Sequence, residues 1–450
     1  MAQTPQRLAN RILYGLVIGA IAGVITLLLA RPFPELLPWT QRLATAVLDP
    51  FGQVFLRLLF FVVIPLVFSS LASGVVQLGN LSKLGPLAGR TFGLFFANMA
   101  IGVALGLLMM EIVQPGDRLD ATAKETLMAE YGGDAATQRV VATAETQPTL
   151  TLAVLVDMFL PRNLFGAVSG TTRNTLGEVL PLIVFAILVG AAGTLLAEER
   201  RRQLQRALDL VTEVMTVIVN FALRLAPYAV PAMIYSVIIK TGFGIVMALG
   251  VFVFGCLAVM TLHLFGTMSL AIHFLSRHSP RQFFRDIRPV LVTAFSTSSS
   301  NATMPTAIAV ARQTLKVSPT TSGFVIPLGA TMNMSGTALY EGCVVLFVAQ
   351  VLGVDLTFAQ ELTLLILSVI SAVAVAGIPG GSLPLIAGLL STFGVPPEGI
   401  GIILGVDRIL DMARTTVNVG CDLVTTVIVD DSVRRSDASP PPPPAELAAG

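Results

Sequence analysis

DRILDMARTTVNVGCD, residues 407–422, interrupts a long apolar part of the chain with charged and polar side chains. These side chains repeat at the spacing of one helix face: Asp407, Asp411, Arg414, Thr415, Asn418 and Asp422. At about 100° per residue they fall within roughly a third of the helix circumference. One charge at the centre of a bilayer costs on the order of 2.5–3.5 kcal/mol, so this stripe facing lipid would cost about 10 kcal/mol. The stripe is therefore predicted to face protein, water or a ligand, and it indicates a binding site.

The composition of the chain is that of a membrane protein. Of 450 residues, 54% are hydrophobic and 12% are charged, and the mean hydropathy is +0.80. Apolar runs of spanning length occur at 12–30, 51–78, 91–113, 179–197, 211–239 and 243–275. Interrupted apolar regions follow at 281–315, 320–352, 357–395 and 398–430. These lengths predict an all-α polytopic membrane protein, and a net charge of +1 argues against a nucleic-acid partner.

The placement of charge predicts the orientation in the membrane. Arginine clusters at 200–206 and 277–288 flank apolar runs, and an acidic segment at 117–145 lies between other runs. By the positive-inside rule, both termini are expected in the cytoplasm and the acidic segment outside the cell. The predicted location is the cell inner membrane.

The second half of the chain does not read as a series of plain spanning helices. The polar run STSSSNAT at 296–303 has apolar flanks of about a dozen residues, too short to cross a bilayer at 1.5 Å per residue. Two half-depth helices that meet at this tip, a re-entrant hairpin, fit better than a loop between two spans. Residues 371–396 repeat the plan, with Gly377, Pro379, Gly380, Gly381 and Ser382 at the tip.

An interruption at Asn333–Thr337 suggests an unwound segment with free carbonyl groups. Irregular backbone at membrane depth is tolerated where it lines a cavity or is packed in protein, and paired broken elements of this kind bind solutes and ions in secondary transporters. Oxygen ligands without Cys or His favour a hard cation such as sodium. A channel, an intramembrane serine hydrolase and a purely structural polar core remain as alternatives.

Four motifs together resemble the dicarboxylate/amino acid:cation symporter family, which contains bacterial and archaeal glutamate/aspartate transporters and is related to excitatory amino acid transporters. The motifs are SSSNATMP at 298–305, GATMNMSGTALYEG at 329–342, AGIPGG at 376–381 and the stripe at 407–422. The resemblance implies eight transmembrane helices plus two re-entrant helical hairpins, inverted repeats, a homotrimer and an elevator-type transporter. It implies no enzyme activity and no cofactor other than coupled ions, Na⁺ or H⁺.

The resemblance also implies a division of the chain. Its parts would be a scaffold (1–84 and 151–242), a transport part (85–116 and 243–432), an acidic extracellular loop (117–150) and a disordered Pro-rich tail (433–450). The transport part from 243 would contain the sixth span, a hairpin (281–315), a broken helix (320–352), a second hairpin (357–395) and the last helix (398–430).

The family's binding roles carry over to matching positions. Arg414 would bind the side-chain carboxylate of the substrate and Asp411 its ammonium. The implied substrate-binding set is Ser299, Ser300, Thr337, Gly377, Pro379, Gly381, Asp411, Arg414, Thr415 and Asn418. The implied sodium ligands are Gly329, Thr331, Asn333, Met334, Asn418 and Asp422. Because both Asp411 and Arg414 are present, the expected substrate is L-glutamate or L-aspartate.

The chain departs from the family pattern at a third sodium site. Phe95, Asn98 and Met99 replace a tyrosine and two hydroxyl residues, and Ser335 replaces an aspartate. We therefore expect fewer coupled cations, two sodium ions or a proton. A proton-coupled glutamate/aspartate or C4-dicarboxylate transporter and a neutral amino acid carrier stay open. The contact made by Arg408 is also open, and the charge of a hairpin arginine replaced by Ser298 is one role for it.

Overall fold

The computed structural model describes residues 5–77, 85–119, 121–131, 160, 162–169, 179–375 and 381–437. Every regular element in these ranges is helical. The predicted tip residues Gly377, Pro379 and Gly380 lie outside the described residues, as do most of the predicted extracellular loop and the end of the predicted tail.

The described residues of the first half of the chain form nine α-helices. They are α1 (Pro5–Ala30), α2 (Leu36–Leu43), α3 (Asp49–Phe61), α4 (Val63–Gln77), α5 (Gly85–Val113), α6 (Ala121–Tyr131), α7 (Leu164–Ser169), α8 (Val179–Thr194) and α9 (Glu198–Thr241). The long α9 bends by 51° between Glu198–Val219 and Arg224–Thr241. Pro227 and Pro231 lie in its second part, and Pro227 cannot donate to residue 223, so proline accounts for a bend at this point.

In the second half, ten further α-helices lie within the described ranges. They are α10 (Gly244–Thr261), α11 (Met268–Leu275), α12 (Pro280–Asp286), α13 (Arg288–Thr297), α14 (Ser300–Gln313), α15 (Pro319–Met332), α16 (Ser335–Val351), α17 (Phe358–Ala374), α18 (Leu383–Thr392) and α19 (Leu404–Asp437). A π-helical segment, Leu262–Thr267, joins α10 to α11, so these two helices form one continuous stretch.

Two groups of helices pack closely. In the first group, α9 packs against α1, α3 and α4, and α8 packs on α4. In the second group, α16 packs against α5, α17 and α19, while α13 and α15 pack on α19. Every residue of α16 is buried, which is typical of a helix surrounded by others. The stripe of α19 therefore lies inside the second group.

Three helical stretches are long and apolar enough to span a bilayer: Leu87–Arg118, Gly244–Leu275 and Pro319–Val351. The bent helix α9 makes a fourth if its two parts are taken as one span. Four shorter apolar helical stretches, at Tyr14–Ala30, Ile64–Val76, Val184–Thr194 and Phe358–Val373, accompany them in the described ranges. The prediction of a helical membrane protein agrees with these features.

Three predicted boundaries need correction. The last helix was expected at 398–430, but 397–402 is a 3₁₀ helix and α19 begins at Leu404, because prolines and glycines at 396–401 disfavour an α-helix. The tail was expected from 433, yet α19 continues to Asp437. Arg434 extends it by pairing with Asp430 at 2.8 Å. Within the predicted loop 117–150, residues Ala121–Tyr131 are helical.

Candidate functional site

The turn between α13 and α14 presents serines at the end of two short, mutually packed helices. Ser298 has a left-handed backbone conformation (φ 50°) that ends α13. The next residue, Ser299, caps α14 by accepting a hydrogen bond from the backbone N–H of Ala302 at 3.2 Å. Such a cap satisfies one of the free N–H groups at a helix start. The side chain of Ser299 thus has a local structural role.

The break between α15 and α16 lies close to α19. Asn333 and Met334 are not helical, so the first N–H groups of α16 have no partner within the helix. Asn418 Oδ1 accepts from the N–H groups of Gly336 (2.7 Å) and Thr337 (3.2 Å), and Asn418 Nδ2 donates to Thr337 Oγ1 at 3.0 Å. A Cβ atom at Gly336 would collide with the backbone of Arg414. Glycine therefore lets the two helices approach this closely.

The charged side chains of α19 bind one another in the buried interior. Arg414 donates to Asp411 Oδ1 from Nε at 3.0 Å and from Nη2 at 2.7 Å, and to Asp407 Oδ1 from Nη1 at 3.3 Å. Tyr340 of α16 donates its hydroxyl to the same Asp407 oxygen at 2.9 Å. Its ring centroid lies 4.8 Å from the guanidinium carbon of Arg414, a cation–π geometry.

Arg408 is the second cation of this cluster. Its Nη1 donates to Asp411 Oδ2 at 3.1 Å, the carboxylate oxygen that Arg414 does not use. The side chain of Arg408 is 11% exposed, and its buried Nε has no hydrogen-bond partner among the described residues. The partner of Arg408, which the sequence left open, is therefore Asp411. With Arg408 included, the formal charges of Asp407, Arg408, Asp411 and Arg414 sum to zero.

A small cavity lies between the turn at Ser298, the helix break and the stripe of α19. Its lining residues are Ser298, Ser300, Met334, Thr337, Val375, Ser382, Asp411, Arg414, Thr415 and Asn418. The structure thus brings together six of the predicted substrate-binding residues: Ser300, Thr337, Asp411, Arg414, Thr415 and Asn418. Ser299 and Gly381 are not among the lining residues. Gly377 and Pro379 cannot be placed, since they lie outside the described ranges.

Sequence reasoning missed Ser298 and Ser382 as lining residues. Both side chains are buried, and within the described part of the chain neither hydroxyl has a hydrogen-bond partner. A buried hydroxyl without a partner costs free energy, so two of them at one cavity indicate a polar ligand. The signal was present in the sequence, because both serines lie within the predicted tip segments, although neither was assigned to the substrate-binding set.

Three of the predicted sodium ligands meet on the other side of the helix break. Asn333 Nδ2 donates to Asp422 Oδ1 at 2.9 Å, in the buried interior. A Cβ atom at Gly329 would collide with that carboxylate, so Asp422 lies directly against the backbone of α15. Asn333 Oδ1 is buried and lacks a hydrogen-bond partner among the described atoms. A carboxylate, an amide oxygen and adjacent backbone carbonyls form a donor set suited to a hard cation.

The remaining predicted sodium ligands are more dispersed. Met334 lines the cavity, whereas Thr331 Oγ1 donates to the carbonyl of Leu328 at 2.9 Å. Most of the second tip, residues 376–380, lies outside the described ranges. Asn418 is committed through its side chain to the start of α16, so only its backbone carbonyl is available as a cation ligand.

The residues of α5 on which a third sodium site was expected to be lost lie in the following surroundings. Phe95 is buried in a small apolar cluster, and Met99 is buried in the main core. Asn98 donates its amide to Thr425 Oγ1 at 3.1 Å. The apolar side chains of Phe95 and Met99 supply no hard oxygen ligand here.

Helices of spanning length, a helix break and a buried cavity that carries both signs of charge define a membrane transporter. The chain belongs to the sodium:dicarboxylate symporter family, whose model matches residues 8–432. The resemblance noted from the motifs is thereby confirmed. Because this is a family of symporters, the chain is a transporter and not an enzyme.

Several curated relatives align with nearly the whole chain. The proton/sodium-glutamate symport protein of Bacillus subtilis (strain 168) is 32% identical, over 94% of this chain and 92% of its own length. The proton/glutamate-aspartate symporter of Escherichia coli (strain K12) is 28% identical, also over 94% and 92%. The C4-dicarboxylate transport protein of Acinetobacter baylyi is 28% identical, over 85% of this chain and 82% of its own length.

Proposed function

We propose that this protein is a secondary active symporter that imports an acidic amino acid, L-glutamate or L-aspartate, coupled to cations, with sodium as the favoured ion. The observation that carries the proposal is the buried pair of Asp411 and Arg414 at one cavity. The pair offers one group of each sign to a substrate that carries an ammonium and carboxylates. Relatives named as glutamate symporters support the same substrate class.

In this proposal Arg414 binds the side-chain carboxylate, and Asp411 binds the ammonium. A guanidinium is suited to the first role because its planar fork can donate two parallel hydrogen bonds to a carboxylate. The hydroxyls of Ser298 and Ser382, which have no hydrogen-bond partner among the described residues, are available to the substrate's other carboxylate. The hydroxyls of Thr337 and Thr415 complete a polar wall.

Sodium is proposed to bind at Asp422, with Asn333 and the carbonyl of Gly329. Two sodium ions with one monoanionic substrate would carry a net charge of +1. Since moving one charge through 100 mV is worth about 2.3 kcal/mol, the membrane potential would then drive accumulation in addition to the sodium gradient.

Movement is proposed to follow an elevator mechanism in a homotrimer of the inner membrane, with both termini in the cytoplasm. The two packing groups support this view, since α1, α3, α4, α8 and α9 would form the scaffold and the helices around α16 and α19 the moving part. The short pair α13 and α14 and the pair α17 and α18 would be re-entrant hairpins, and the second would act as the external gate. Eight spanning helices in inverted repeats complete this proposed topology.

Purified protein in proteoliposomes tests the proposal. Labelled aspartate uptake should require an inward sodium gradient and should increase with an inside-negative potential. Unlabelled aspartate trapped inside should stimulate entry of the label, because a carrier exchanges substrate and a channel does not. Uptake that depends on neither sodium nor pH would reject cation-coupled symport, and so would an absence of exchange between labelled and unlabelled aspartate.

A proton is the second candidate for the coupled ion, and Glu341 favours it. This residue of α16 is fully buried, and neither carboxylate oxygen has a hydrogen-bond partner in the described structure. An unpaired carboxylate in such a place costs several kcal/mol to ionise. A glutamate that takes up and releases a proton during the cycle would avoid that cost in its protonated, neutral form.

A further inference from the structure

Asp411 has two cationic partners on its own helix. Arg414 occupies its Oδ1 through two hydrogen bonds, and Arg408 occupies its Oδ2 through one. The two arginines approach the carboxylate on different oxygens, so one can leave without the other. Asp411 therefore has a second counter-ion, Arg408, which is separate from Arg414, the residue proposed to bind the substrate carboxylate.

We propose that Arg408 is a specificity-determining residue, which sets how strongly the transporter requires an amino group on its substrate. The inference rests on the proposed function, in which Arg414 turns from Asp411 to the substrate carboxylate. At that moment Asp411 loses two of its three donors. The donor that remains is Arg408.

Arg408 determines whether Asp411 keeps a counter-ion after Arg414 has turned to the substrate. Without Arg408, the buried carboxylate would be left alone, and the substrate ammonium would be its only available counter-ion. Removal of one partner from a buried ion pair is strongly unfavourable, so a substrate without an amino group would be excluded. With Arg408 in place, the charge of Asp411 stays neutralised. A dicarboxylate without an amino group then loses less binding free energy relative to an amino acid.

The remaining geometry of Arg408 fits a compensating role better than a direct contact with substrate. Arg408 is not among the residues that line the cavity. Its Nε makes no hydrogen bond within the described part of the chain, so the guanidinium is held by its contact with Asp411 and has unused donor capacity. Arg408 is therefore a positioning residue, which acts on the substrate through Asp411.

Aspartate and succinate are the probes, because they differ only in the amino group. Inhibition of labelled aspartate uptake by each compound gives a ratio of inhibition constants that does not depend on the amount of active protein. For the wild-type protein we expect succinate to be weaker than aspartate by about tenfold or less. For Arg408→Met we expect the ratio to rise at least about tenfold, mainly through loss of succinate binding.

Arg408→Lys retains a cation at this position and should keep the wild-type ratio. Arg312→Met removes a distant arginine, which bonds to Ser322 at 2.9 Å, and should also leave the ratio unchanged. An unchanged ratio in Arg408→Met would overturn this inference and leave the proposed function in place. If that variant proves inactive, the wild-type ratio still decides, because discrimination of about a thousandfold against succinate would contradict it. Wild-type protein that binds neither compound would reject the proposed function as well.

Discussion

Arg414 donates two hydrogen bonds to one oxygen of Asp411, from Nε at 3.0 Å and from Nη2 at 2.7 Å. Both side chains are almost completely buried, so each serves as the other's counter-ion while no substrate is present. A substrate carboxylate competes with Asp411 for the guanidinium, and a substrate ammonium competes with Arg414 for the carboxylate. An amino acid with an acidic side chain can replace both partners at once, whereas a neutral or purely anionic ligand replaces one.

The first prediction concerns Arg414→Cys. This change removes the proposed partner of the substrate's side-chain carboxylate, and hydrogen bonds to charged groups contribute about 1.5–3 kcal/mol each. Aspartate uptake should fall at least about a hundredfold, since two such bonds are lost. Uptake of small neutral amino acids should appear, because the cavity gains space and loses its cation. Labelled alanine, serine and aspartate uptake into proteoliposomes measures both effects.

Arg312→Cys is the matched control for this variant. Arg312 contacts Ser322 and the carbonyl of Pro319, away from the cavity, so its loss should leave substrate choice unchanged. Retention of acidic selectivity in Arg414→Cys would contradict the role assigned to the guanidinium.

The second prediction concerns Asp422→Asn. The carboxylate is buried against Gly329 and accepts a hydrogen bond from Asn333, so an amide at this position preserves the shape but removes the charge. The sodium concentration for half-maximal aspartate uptake should rise at least about tenfold, because the proposed cation loses its anionic ligand. The preference for aspartate over neutral amino acids should stay as in the wild-type protein.

Sodium titrations of uptake at saturating aspartate measure this effect. Asp117→Asn is a suitable control, since Asp117 pairs with Lys124 in an exposed position and should not change sodium activation. Sodium activation that is identical in Asp422→Asn and the wild-type protein would exclude this cation site.

The stripe at 407–422 could be predicted from sequence because helical periodicity alone decides which side chains share a face. The inward direction of that face followed from the cost of charge in lipid, and it is confirmed by the burial of Asp411, Arg414 and Asp422. Contacts between elements are different, because they depend on how helices pack. The hydrogen bond between Tyr340 and Asp407 joins residues 67 positions apart, and no local pattern in one sequence indicates it.

The same limit applies to the cavity wall and to the helix ends. Ser298 was predicted at the hairpin tip but not in the substrate-binding set, since its left-handed backbone and buried hydroxyl appear only when the turn is built. The 3₁₀ helix at 397–402 was read as part of the last helix, because the sequence analysis took 398–430 as one apolar region. Arg408 illustrates the point most clearly, since its contact with Asp411 required knowledge of the rotamer and not only of the spacing.

The third prediction separates two contributions of Tyr340. Tyr340→Phe removes the hydroxyl that donates to Asp407 but keeps the ring beneath Arg414. Tyr340→Leu removes both. The loss of a hydrogen bond to a buried carboxylate should weaken aspartate binding about tenfold, and the additional loss of the cation–π contact should weaken it several-fold more. Equal affinities for aspartate in both variants and the wild-type protein would show that Tyr340 does not position the guanidinium.

The fourth prediction concerns stability of the first helix group. Asp49, at the start of α3, accepts hydrogen bonds from Ser236 Oγ at 2.5 Å and from Lys240 Nζ at 2.6 Å, both on α9. Lys240→Met leaves the half-buried carboxylate with one donor fewer, which should cost about 1–3 kcal/mol. The Tm in detergent should fall, while the affinity for aspartate should not change, because this contact is distant from the cavity. Asp49→Asn with Lys240→Met should recover part of the loss. A Tm equal to that of the wild-type protein in Lys240→Met would contradict this account.

The fifth prediction decides between the two candidate ions through Glu341→Gln. The substituted side chain has nearly the same shape and cannot ionise, so the variant avoids the cost of a buried charge and cannot carry a proton. If Glu341 carries a proton, wild-type uptake should rise as the external pH falls, and this dependence should disappear in the variant. Glu125→Gln, in the exposed part of α6, should keep the wild-type profile. Uptake measured at fixed sodium and fixed potential isolates the effect of pH. A pH profile that is the same in Glu341→Gln and the wild-type protein would leave sodium as the coupled ion, with Glu341 as a neutral part of the α16 core.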